Sequence, residues 1–286
     1  MIILDLNQVM ISNMMMQLNH NDDVEEDLVR HMILNSIRMY KQKFSADYGE
    51  LIIACDDKNY WRKDIFPYYK AHRKEDRKAS THDWNKIFEC LNKIRDELKE
   101  YFPYRVIQVD RAEADDIIGV LVKKHGCYLN NSDTERVLIL SGDKDFGQLQ
   151  KYMNVDQYSP VLKKWIRVGD AGRFLREHIM KGDRGDGIPN FLSEDSTIIS
   201  KKRQKPLASK KLEGWIDLEP EKFCDDIMLK HYRRNEALVD LEQVPDNISD
   251  QIIQKFDNYE VPSRKGLLNY FIKNRLKNLM ENIGEF

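Results

Sequence analysis

Short apolar runs alternate with longer stretches of helical periodicity over the first two-thirds of the chain. The runs are rich in Ile and Val and carry few polar side chains, which is typical of buried parallel strands. They occupy residues 1–4, 51–55, 106–109 and 137–140. Apolar residues recur at helical spacing between the runs, over 27–44 and 83–100. Strands that alternate with helices predict an α/β domain with a central, mainly parallel sheet.

The pattern changes after the fourth apolar run. Residues 155–168 predict a hairpin, and a helix follows over about 170–181. Ala171, Phe174, Leu175, His178 and Ile179 mark one face of that helix. The rest of the chain is mostly helical in pattern. We therefore expect an α/β domain over 1–168 and a mostly helical C-terminal domain over 169–286.

Length, charge and cysteine usage exclude several classes of protein. The 286 residues allow one large domain or two small ones. The 46 basic and 48 acidic residues give a net charge of −2, so no global positive excess marks a nucleic-acid binder. Four widely spaced cysteines without a CxxC pair exclude a zinc ribbon or a disulfide framework. No apolar run approaches a membrane span and the N-terminus lacks signal-peptide features, so we expect a cytoplasmic protein without a membrane partner.

Acidic residues follow each of the four apolar runs. They are Asp5, Asp56, Asp57, Asp110, Glu113, Asp115, Asp116, Asp143 and Asp145. The carboxyl ends of parallel strands form the ligand-binding edge of an open sheet, so the pattern brings many of these carboxylates together. Asp183 and Asp186 follow the 170–181 helix at a spacing of three.

A divalent metal explains this convergence better than turn formation does. A single Asp after a strand is usually a turn former or a helix N-cap. Turn formation does not explain why four successive strands are each followed by an acidic residue, or why two tight acidic clusters occur. Carboxylates within ~5 Å repel one another unless a positive charge intervenes. An all-oxygen site suits Mg²⁺ or Mn²⁺. Glu113 and Asp116 share a helix face, whereas the direction of Asp115 depends on whether the helix begins at about 114.

The remaining motifs favour phosphodiester chemistry. The seven histidines form no HExxH motif, and no nucleophile elbow is present, which disfavours covalent catalysis by Ser or Cys. Carboxylates that hold two metals about 4 Å apart are suited to phosphodiester hydrolysis. Residues 60–78 interleave basic and aromatic side chains, either as a solvated amphipathic helix or as a substrate arm beside Asp56. A second basic cluster at 201–205 is either a phosphate-binding segment or a charged loop.

The order and spacing of these motifs resemble the flap-endonuclease or 5′-nuclease superfamily. The motifs are Asp5, Asp56, EADD at 113–116, SGDKDF at 141–146 and KGDRGDGIPN at 181–190. YWRKDIFPYYK at 60–70, EADDIIGVLVKK and the closing region from VPDNIS to GEF look more narrowly like the ribonuclease H family of T-even-like bacteriophages. The resemblance covers nearly the whole chain and is densest through residue 190.

The resemblance implies a PIN-like domain with a helical arch at about 59–82, followed by a helix-turn-helix region that grips duplex DNA. It implies a Mg²⁺-dependent 5′→3′ exonuclease and flap endonuclease with two metal ions, for which Mn²⁺ is a substitute. The implied substrates are RNA/DNA and DNA/DNA duplexes with 5′ ends, flaps or forks, and the implied role is removal of RNA primers from lagging-strand fragments. After GIPN, however, the chain departs from the family pattern with FLSEDSTIISKKRQK.

Site residues follow from the matched motifs. The resemblance implies that the first metal site consists of Asp5, Asp56, Glu113, Asp115 and Asp143. It implies that the second consists of Asp145, Asp183 and Asp186, with Asp116 in support. The nucleic-acid-binding set is Arg62, Tyr69, Lys70, Arg73 and Lys74, of which Arg62 and Lys70 also count as catalytic, together with Asp5, Asp56, Glu113, Asp115, Asp143 and Asp145.

Two other functions stay open at this point. One is a PIN-type ribonuclease that acts on single-stranded RNA, and the other is an inactive DNA-binding accessory protein of replication. For the 5′-nuclease we expect a monomer in the cytoplasm of an infected host cell. The partners that the resemblance implies are a sliding clamp and a single-strand-binding protein.

Overall fold

The computed structural model describes residues 1–20, 23–128 and 134–286, which fold around a six-stranded sheet. The strands are β1 (Ile2–Asp5), β2 (Leu51–Ala54), β3 (Arg105–Ile107), β4 (Val137–Leu140), β5 (Val155–Ser159) and β6 (Lys164–Ile166). Their order in the sheet is β3-β2-β1-β4-β5-β6. All neighbours are parallel except β5 and β6, which form the predicted hairpin. The predicted α/β class with a mainly parallel sheet is confirmed.

Helices follow the strands and then make up most of the C-terminal part. They are α1 (Leu6–Leu18), α2 (Glu26–Tyr48), α3 (Arg62–Ile65), α4 (His72–Ala79), α5 (Trp84–Tyr101), α6 (Ala114–His125), α7 (Ala171–Lys181), α8 (Ser209–Trp215), α9 (Asp226–Val239), α10 (Asp246–Asp257), α11 (Leu267–Lys273) and α12 (Lys277–Met280). The helices predicted at 27–44, 83–100 and 170–181 correspond to α2, α5 and α7. In the ranges described, no helix has the length and apolar character that crossing a membrane requires.

The sheet buries both faces, which explains why its strands are apolar throughout. Successive side chains of a strand point to opposite faces. Ile2 and Leu4 belong to the core formed with α1, α2 and α5, whereas Ile3 belongs to the core formed with α6 and α10. All three side chains are fully buried.

The end of the chain returns to the sheet. Residues from Leu267 to Phe286 complete the core on the α2 face, and Leu241 to Phe256 complete the core on the α6 face. A third, smaller core joins the 59–82 segment to α7 and α9, with Phe66 and Tyr69 among its members. The predicted boundary at 168/169 assigns residues after 240 to the C-terminal domain, but these residues pack against the sheet of the first domain. The boundary stays a prediction.

The predicted helix-turn-helix is not confirmed. Within the described part of the chain, no helix lies between the end of α7 at Lys181 and the start of α8 at Ser209. Asn190 ties the intervening segment into a loop, since its Oδ1 accepts from the Ser193 hydroxyl at 2.8 Å and its Nδ2 donates to the Lys205 carbonyl at 2.8 Å. Polar side chains that bond the backbone in this way compete with helix formation.

Candidate functional site

A pocket of about 410 Å³ opens beyond the carboxyl ends of β1 and β4. The strand order reverses between these two strands, because β2 and β3 extend the sheet on one side and β4 and β5 on the other. Ligands of open α/β sheets bind at such a switch point. Seven carboxylates line the pocket: Asp5, Asp56, Asp115, Asp143, Asp145, Asp183 and Asp186. The cations on its walls are Lys70, Arg73 and Lys144, so acidic groups exceed basic groups.

Asp5 connects the central strand to the helix that follows it. It is the last residue of β1 and the N-cap of α1, and its Oδ1 accepts from the backbone N–H of Gln8 at 3.1 Å. Its Oδ2 accepts from the Ser141 hydroxyl at 3.0 Å. Burial and the neighbouring Asp56 carboxylate raise the pKa of Asp5 to about 7. Among the residues that the structure describes, no Lys, Arg or His forms an ion pair with Asp5.

The start of α6 settles the direction of the EADD motif. Glu113 is the N-cap of this helix, so Asp115 lies in its first turn and faces the pocket. The backbone N–H of Ala114 donates to Asp56 Oδ1 at 2.7 Å, which holds Asp56 beside Asp115. Burial, followed by the charge of Asp143, raises the pKa of Asp115. Burial also raises the pKa of Asp56.

The SGDKDF motif supplies two further carboxylates at the end of β4. Asp143 is the N-cap of a 3₁₀-helix over Lys144–Lys151 and accepts from the Asp145 N–H at 3.0 Å. Burial, followed by the charge of Asp143, raises the pKa of Asp145 to about 7. The Oδ1 atom of Asp145 is buried and has no hydrogen-bond partner among the described residues.

A tight turn after α7 brings the last two carboxylates to the pocket. Gly182 has a φ of 67°, and a Cβ there would lie 2.5 Å from the Ile188 and Pro189 carbonyl oxygens, so only glycine fits. Asp183 Oδ1 accepts from the Asp186 N–H at 3.1 Å. Burial opposes ionisation of Asp183, but its contacts with His178 and Lys144 outweigh burial and lower its pKa.

Glu113 and Asp116 lie beneath the pocket in a buried layer. Arg62 contacts Glu113 Oε2 at 2.9 Å and Asp116 Oδ1 at 2.7 Å, and the Tyr69 hydroxyl donates to Glu113 Oε2 at 2.8 Å. Lys70 Nζ donates to Glu113 Oε1. Burial would raise the pKa of Glu113, but the charges of Lys70 and Arg62 reverse the effect and lower it. The protein itself therefore stabilises the charge of Glu113.

The predicted nucleic-acid-binding residues are divided between this layer and the surface. Arg62 and Tyr69 are buried, so their contact with Glu113 is observed, whereas contact with nucleic acid stays a prediction. Lys70 and Arg73 line the pocket, and Arg73 contacts Asp186 at 2.7 Å. Lys74 is exposed on α4 and does not line the pocket.

His178 is a site residue that the sequence reasoning missed. Its Nε2 lies 3.1 Å from Asp183 Oδ2, and one ligand atom each of Asp145, His178 and Asp183 lies within 4.8 Å of the others. The helical period predicts that His178 lies on the apolar face of α7, and the side chain is indeed buried. In the sequence, the only indication that His178 belongs to the site is its position one helical turn before the GD of the KGDRGDG motif.

The donor set fits a divalent cation. Carboxylate oxygens dominate it, burial raises the pKa of several of them, and Asp145 Oδ1 and His178 Nδ1 are buried without hydrogen-bond partners. Hard divalent cations prefer such oxygen ligands, and imidazole suits the borderline transition metals.

Comparison with known proteins identifies the family. A family model described as 5′-3′ exonuclease, N-terminal resolvase-like domain, matches residues 2–174. The chain belongs to this 5′-3′ exonuclease family. A second model, described as T4 RNase H, C terminal, matches residues 173–286. Members of the family are metal-dependent nucleases, so the chain is an enzyme of the hydrolase class.

Individual relatives agree with this assignment. Ribonuclease H of Enterobacteria phage T4 is 34% identical over 294 residues, which cover 99% of this exonuclease-family chain and 95% of the relative. A bacteriophage T5 protein co-crystallised with metal ions matches with a TM-score of 0.64 and 18% identity over 91% of this chain and 99% of its own. A T5 flap endonuclease in a pseudo-enzyme–product complex with DNA and metal ions matches with a TM-score of 0.61, also at 18% identity, over 90% and 97% of the two chains. The resemblance drawn from the motifs is confirmed.

Proposed function

We propose that the protein is a Mg²⁺-dependent 5′→3′ exonuclease and flap endonuclease that uses two metal ions. It hydrolyses phosphodiester bonds at the 5′ ends of RNA/DNA and DNA/DNA duplexes and so removes RNA primers from lagging-strand fragments. The observation that carries the proposal is the convergence of seven carboxylates and only three cations on one pocket at the switch point of the sheet. The phage T4 relative is named a ribonuclease H, and the T5 structure contains DNA, which supports the substrate class.

Two groups of carboxylates would hold the metal ions. Asp5, Asp56, Asp115 and Asp143 form the first group, and Asp145, Asp183 and Asp186 form the second. Bound divalent ions supply an activated water and stabilise the charge that develops on the transferring phosphoryl group. Mn²⁺ is a chemically reasonable substitute, because it accepts the same oxygen ligands.

Glu113 has a supporting role in this proposal. Both of its carboxylate oxygens are engaged, Oε1 by Lys70 and Oε2 by Arg62 and Tyr69. It therefore positions Lys70 at the pocket wall, and we assign it to the first metal site only through that contact. Asp116 supports the layer from below, since its Oδ2 accepts from the Trp61 ring N–H at 3.0 Å and from the Glu113 backbone N–H at 2.8 Å.

Cations on one side of the pocket would receive the 5′ end of the substrate. Lys70 and Arg73 line the wall next to Asp186, and α4 continues with exposed Lys74, Arg77 and Lys78. Basic groups neutralise nucleic-acid phosphates and release their counterions, which favours binding at low salt. Lys70 has a φ of 54°, a left-handed conformation that non-glycine residues adopt at a cost and that is common at functional sites.

We also propose a monomer that acts in the cytoplasm of an infected host cell. The sliding clamp and single-strand-binding protein implied by the family resemblance stay predictions. The relative from phage T4 supports the phage setting.

The direct test is cleavage of a labelled 5′-flap duplex in Mg²⁺ by Asp143→Asn. We expect the cleavage rate to fall by about 10³-fold or more, because the variant removes a charge from the first group of ligands. The fold should persist, since an Asn oxygen still accepts from the Asp145 N–H. The matched control is Asp110→Asn, which changes an exposed Asp that follows the edge strand β3 and does not line the pocket, and it should cleave normally.

Substrate choice separates this function from a single-strand ribonuclease. The wild-type enzyme should cleave the 5′-flap duplex faster than free single-stranded RNA of the same sequence. Equal cleavage by wild type and Asp143→Asn would overturn the site assignment. Faster cleavage of free RNA would replace the proposed function with that of a PIN-type ribonuclease, and metal-independent binding without products would indicate an inactive accessory protein.

A further inference from the structure

His178 is buried at a position where one of its ring nitrogens has no partner. The side chain is 6% exposed and packs edge-on against Phe174, with 6.1 Å between the ring centroids. Nε2 lies 3.1 Å from Asp183 Oδ2. Nδ1 lies 3.5 Å from Asp145 Oδ1, and neither of these two atoms makes a hydrogen bond. Two buried polar atoms therefore face each other without a bond.

The hydrogen bond to Asp183 determines which ring nitrogen of His178 carries the proton in the neutral ring. An ionised carboxylate only accepts hydrogen bonds, so Nε2 must carry the proton that it donates to Asp183. In the neutral ring, Nδ1 then directs its lone pair at Asp145 Oδ1, which also carries only lone pairs in the ionised form of this carboxylate that a metal would bind. Two facing lone pairs in a buried site are unfavourable unless a cation lies between them.

A doubly protonated ring does not account for the geometry equally well. An imidazolium would donate to both carboxylates, and charge-assisted bonds of that kind are short. The distance on the Asp145 side is 3.5 Å and fails as a hydrogen bond, whereas the distance on the Asp183 side is 3.1 Å. The arrangement is instead typical of a metal-binding histidine, in which one nitrogen binds the metal and the other donates to a carboxylate.

We propose that His178 is a nitrogen ligand of the second metal position and that it makes this position prefer Mn²⁺ over Mg²⁺. The inference rests on the proposed function for the role of the second metal, but it concerns one residue that the carboxylate motifs do not include. Imidazole nitrogen is a good ligand for transition metals, whereas Mg²⁺ prefers oxygen and binds imidazole poorly. Lys144, which contacts Asp183 Oδ2 at 2.8 Å and is 60% exposed, can leave the site when the ion binds.

The test compares the full-length metal-free protein with its His178→Gln variant, using Mn²⁺ and Mg²⁺ alone as probes. The Gln amide N–H can still donate to Asp183, so the variant keeps the positioning contact and removes the Nδ1 ligand. Pulsed electron paramagnetic resonance of bound Mn²⁺ reports coupling to an imidazole ¹⁴N directly. The matched control is His125→Gln, because His125 is the last residue of α6, at the opposite end of the helix from the pocket residue Asp115, and contacts Glu135.

We expect the imidazole ¹⁴N coupling in wild type and in His125→Gln, and its loss in His178→Gln. Calorimetric titration should show Mn²⁺ affinity at the second metal position falling at least about tenfold in His178→Gln, while Mg²⁺ affinity changes much less. Absence of the coupling in wild type, or an unchanged Mn²⁺ to Mg²⁺ affinity ratio in His178→Gln, would overturn the inference. If wild type then still cleaves the 5′-flap duplex, the proposed function stands; if the coupling is present without cleavage of any 5′ end, the proposed function fails and the ligand assignment stands.

Discussion

The buried layer beneath the pocket and the pocket itself handle negative charge in opposite ways. On the first, which we call the compensated side, Arg62, Tyr69 and Lys70 surround Glu113, and its pKa is lowered despite burial. On the second, the open side, Asp5 and Asp145 lack a comparable partner, and burial raises the pKa of each to about 7. The protein therefore supplies its own cations around Glu113 and leaves the charge of Asp5 and Asp145 for ions from solution.

The largest expected effect comes from breaking the compensated side with Arg62→Met. The variant leaves Asp116 without its only ion-pair partner among the described residues and removes one partner of Glu113. It also removes the donor to the Leu238 carbonyl at 2.9 Å. Because a buried charge without its partner is costly, we expect the free energy of unfolding to fall by about 3–5 kcal/mol. Urea unfolding in the presence of EDTA measures it.

Two further variants sharpen this first prediction. Arg233→Met removes an exposed arginine that contacts Glu221 and Glu236, and it should change stability by less than about 1 kcal/mol. Adding Asp116→Asn to Arg62→Met should restore part of the lost stability, because it removes the unpaired charge. If Arg62→Met costs no more than Arg233→Met, the buried ion pairs do not hold the compensated side together.

The open side should respond in the opposite direction. Asp5→Asn removes a charge that burial and Asp56 disfavour, and the Asn oxygen can still accept from the Gln8 N–H. We expect the metal-free variant to be more stable than wild type by about 1–3 kcal/mol near pH 8, since a tenfold change in proton affinity corresponds to about 1.4 kcal/mol. Urea unfolding in EDTA tests this, and a loss of stability would show that Asp5 contributes to the metal-free fold.

Much of the pocket could be predicted from the sequence alone. The lining carboxylates could be predicted, because Asp5, Asp56 and Asp143 follow strands whose carboxyl ends must share one edge of a parallel sheet. Asp183 and Asp186 came from the family motif, and the structure brings them to the same pocket. Strand identity was therefore enough to place Asp5, Asp56 and Asp143, but not Asp183 and Asp186, which follow a helix.

What the sequence could not show is which side chains are covered. Arg62 belongs to a basic segment whose pattern predicts an exposed surface, yet contacts with α9 and Glu113 bury it. His178 fits an apolar helix face, and its polar contacts come from residues at different distances along the chain, Asp145 and Asp183. Such contacts depend on how elements pack in three dimensions, and neither periodicity nor composition records that packing.

The smallest expected effect is a pH dependence of stabilisation by Mg²⁺ on the open side. Asp5 and Asp145 have a pKa of about 7 in the metal-free protein against an ordinary value of 3.8. The folded state thus binds more protons than the unfolded state between these values, so its stability falls as pH rises from about 4 to about 7. Mg²⁺ competes with those protons, and saturating Mg²⁺ should therefore raise the melting temperature more at about pH 8 than at about pH 5.5.

Mg²⁺ at about ten to a hundred times its dissociation constant stabilises the fold by about 1–3 kcal/mol. The difference between the two pH values is only part of that stabilisation. Thermal unfolding in Mg²⁺ and in EDTA at the two pH values measures it. The double variant Asp5→Asn/Asp145→Asn removes both groups with the raised pKa, so its response to Mg²⁺ should be small and nearly equal at the two pH values. An equal gain at both pH values in wild type would mean that these carboxylates do not exchange protons for the metal, and the contrast between the two sides would lose its electrostatic basis.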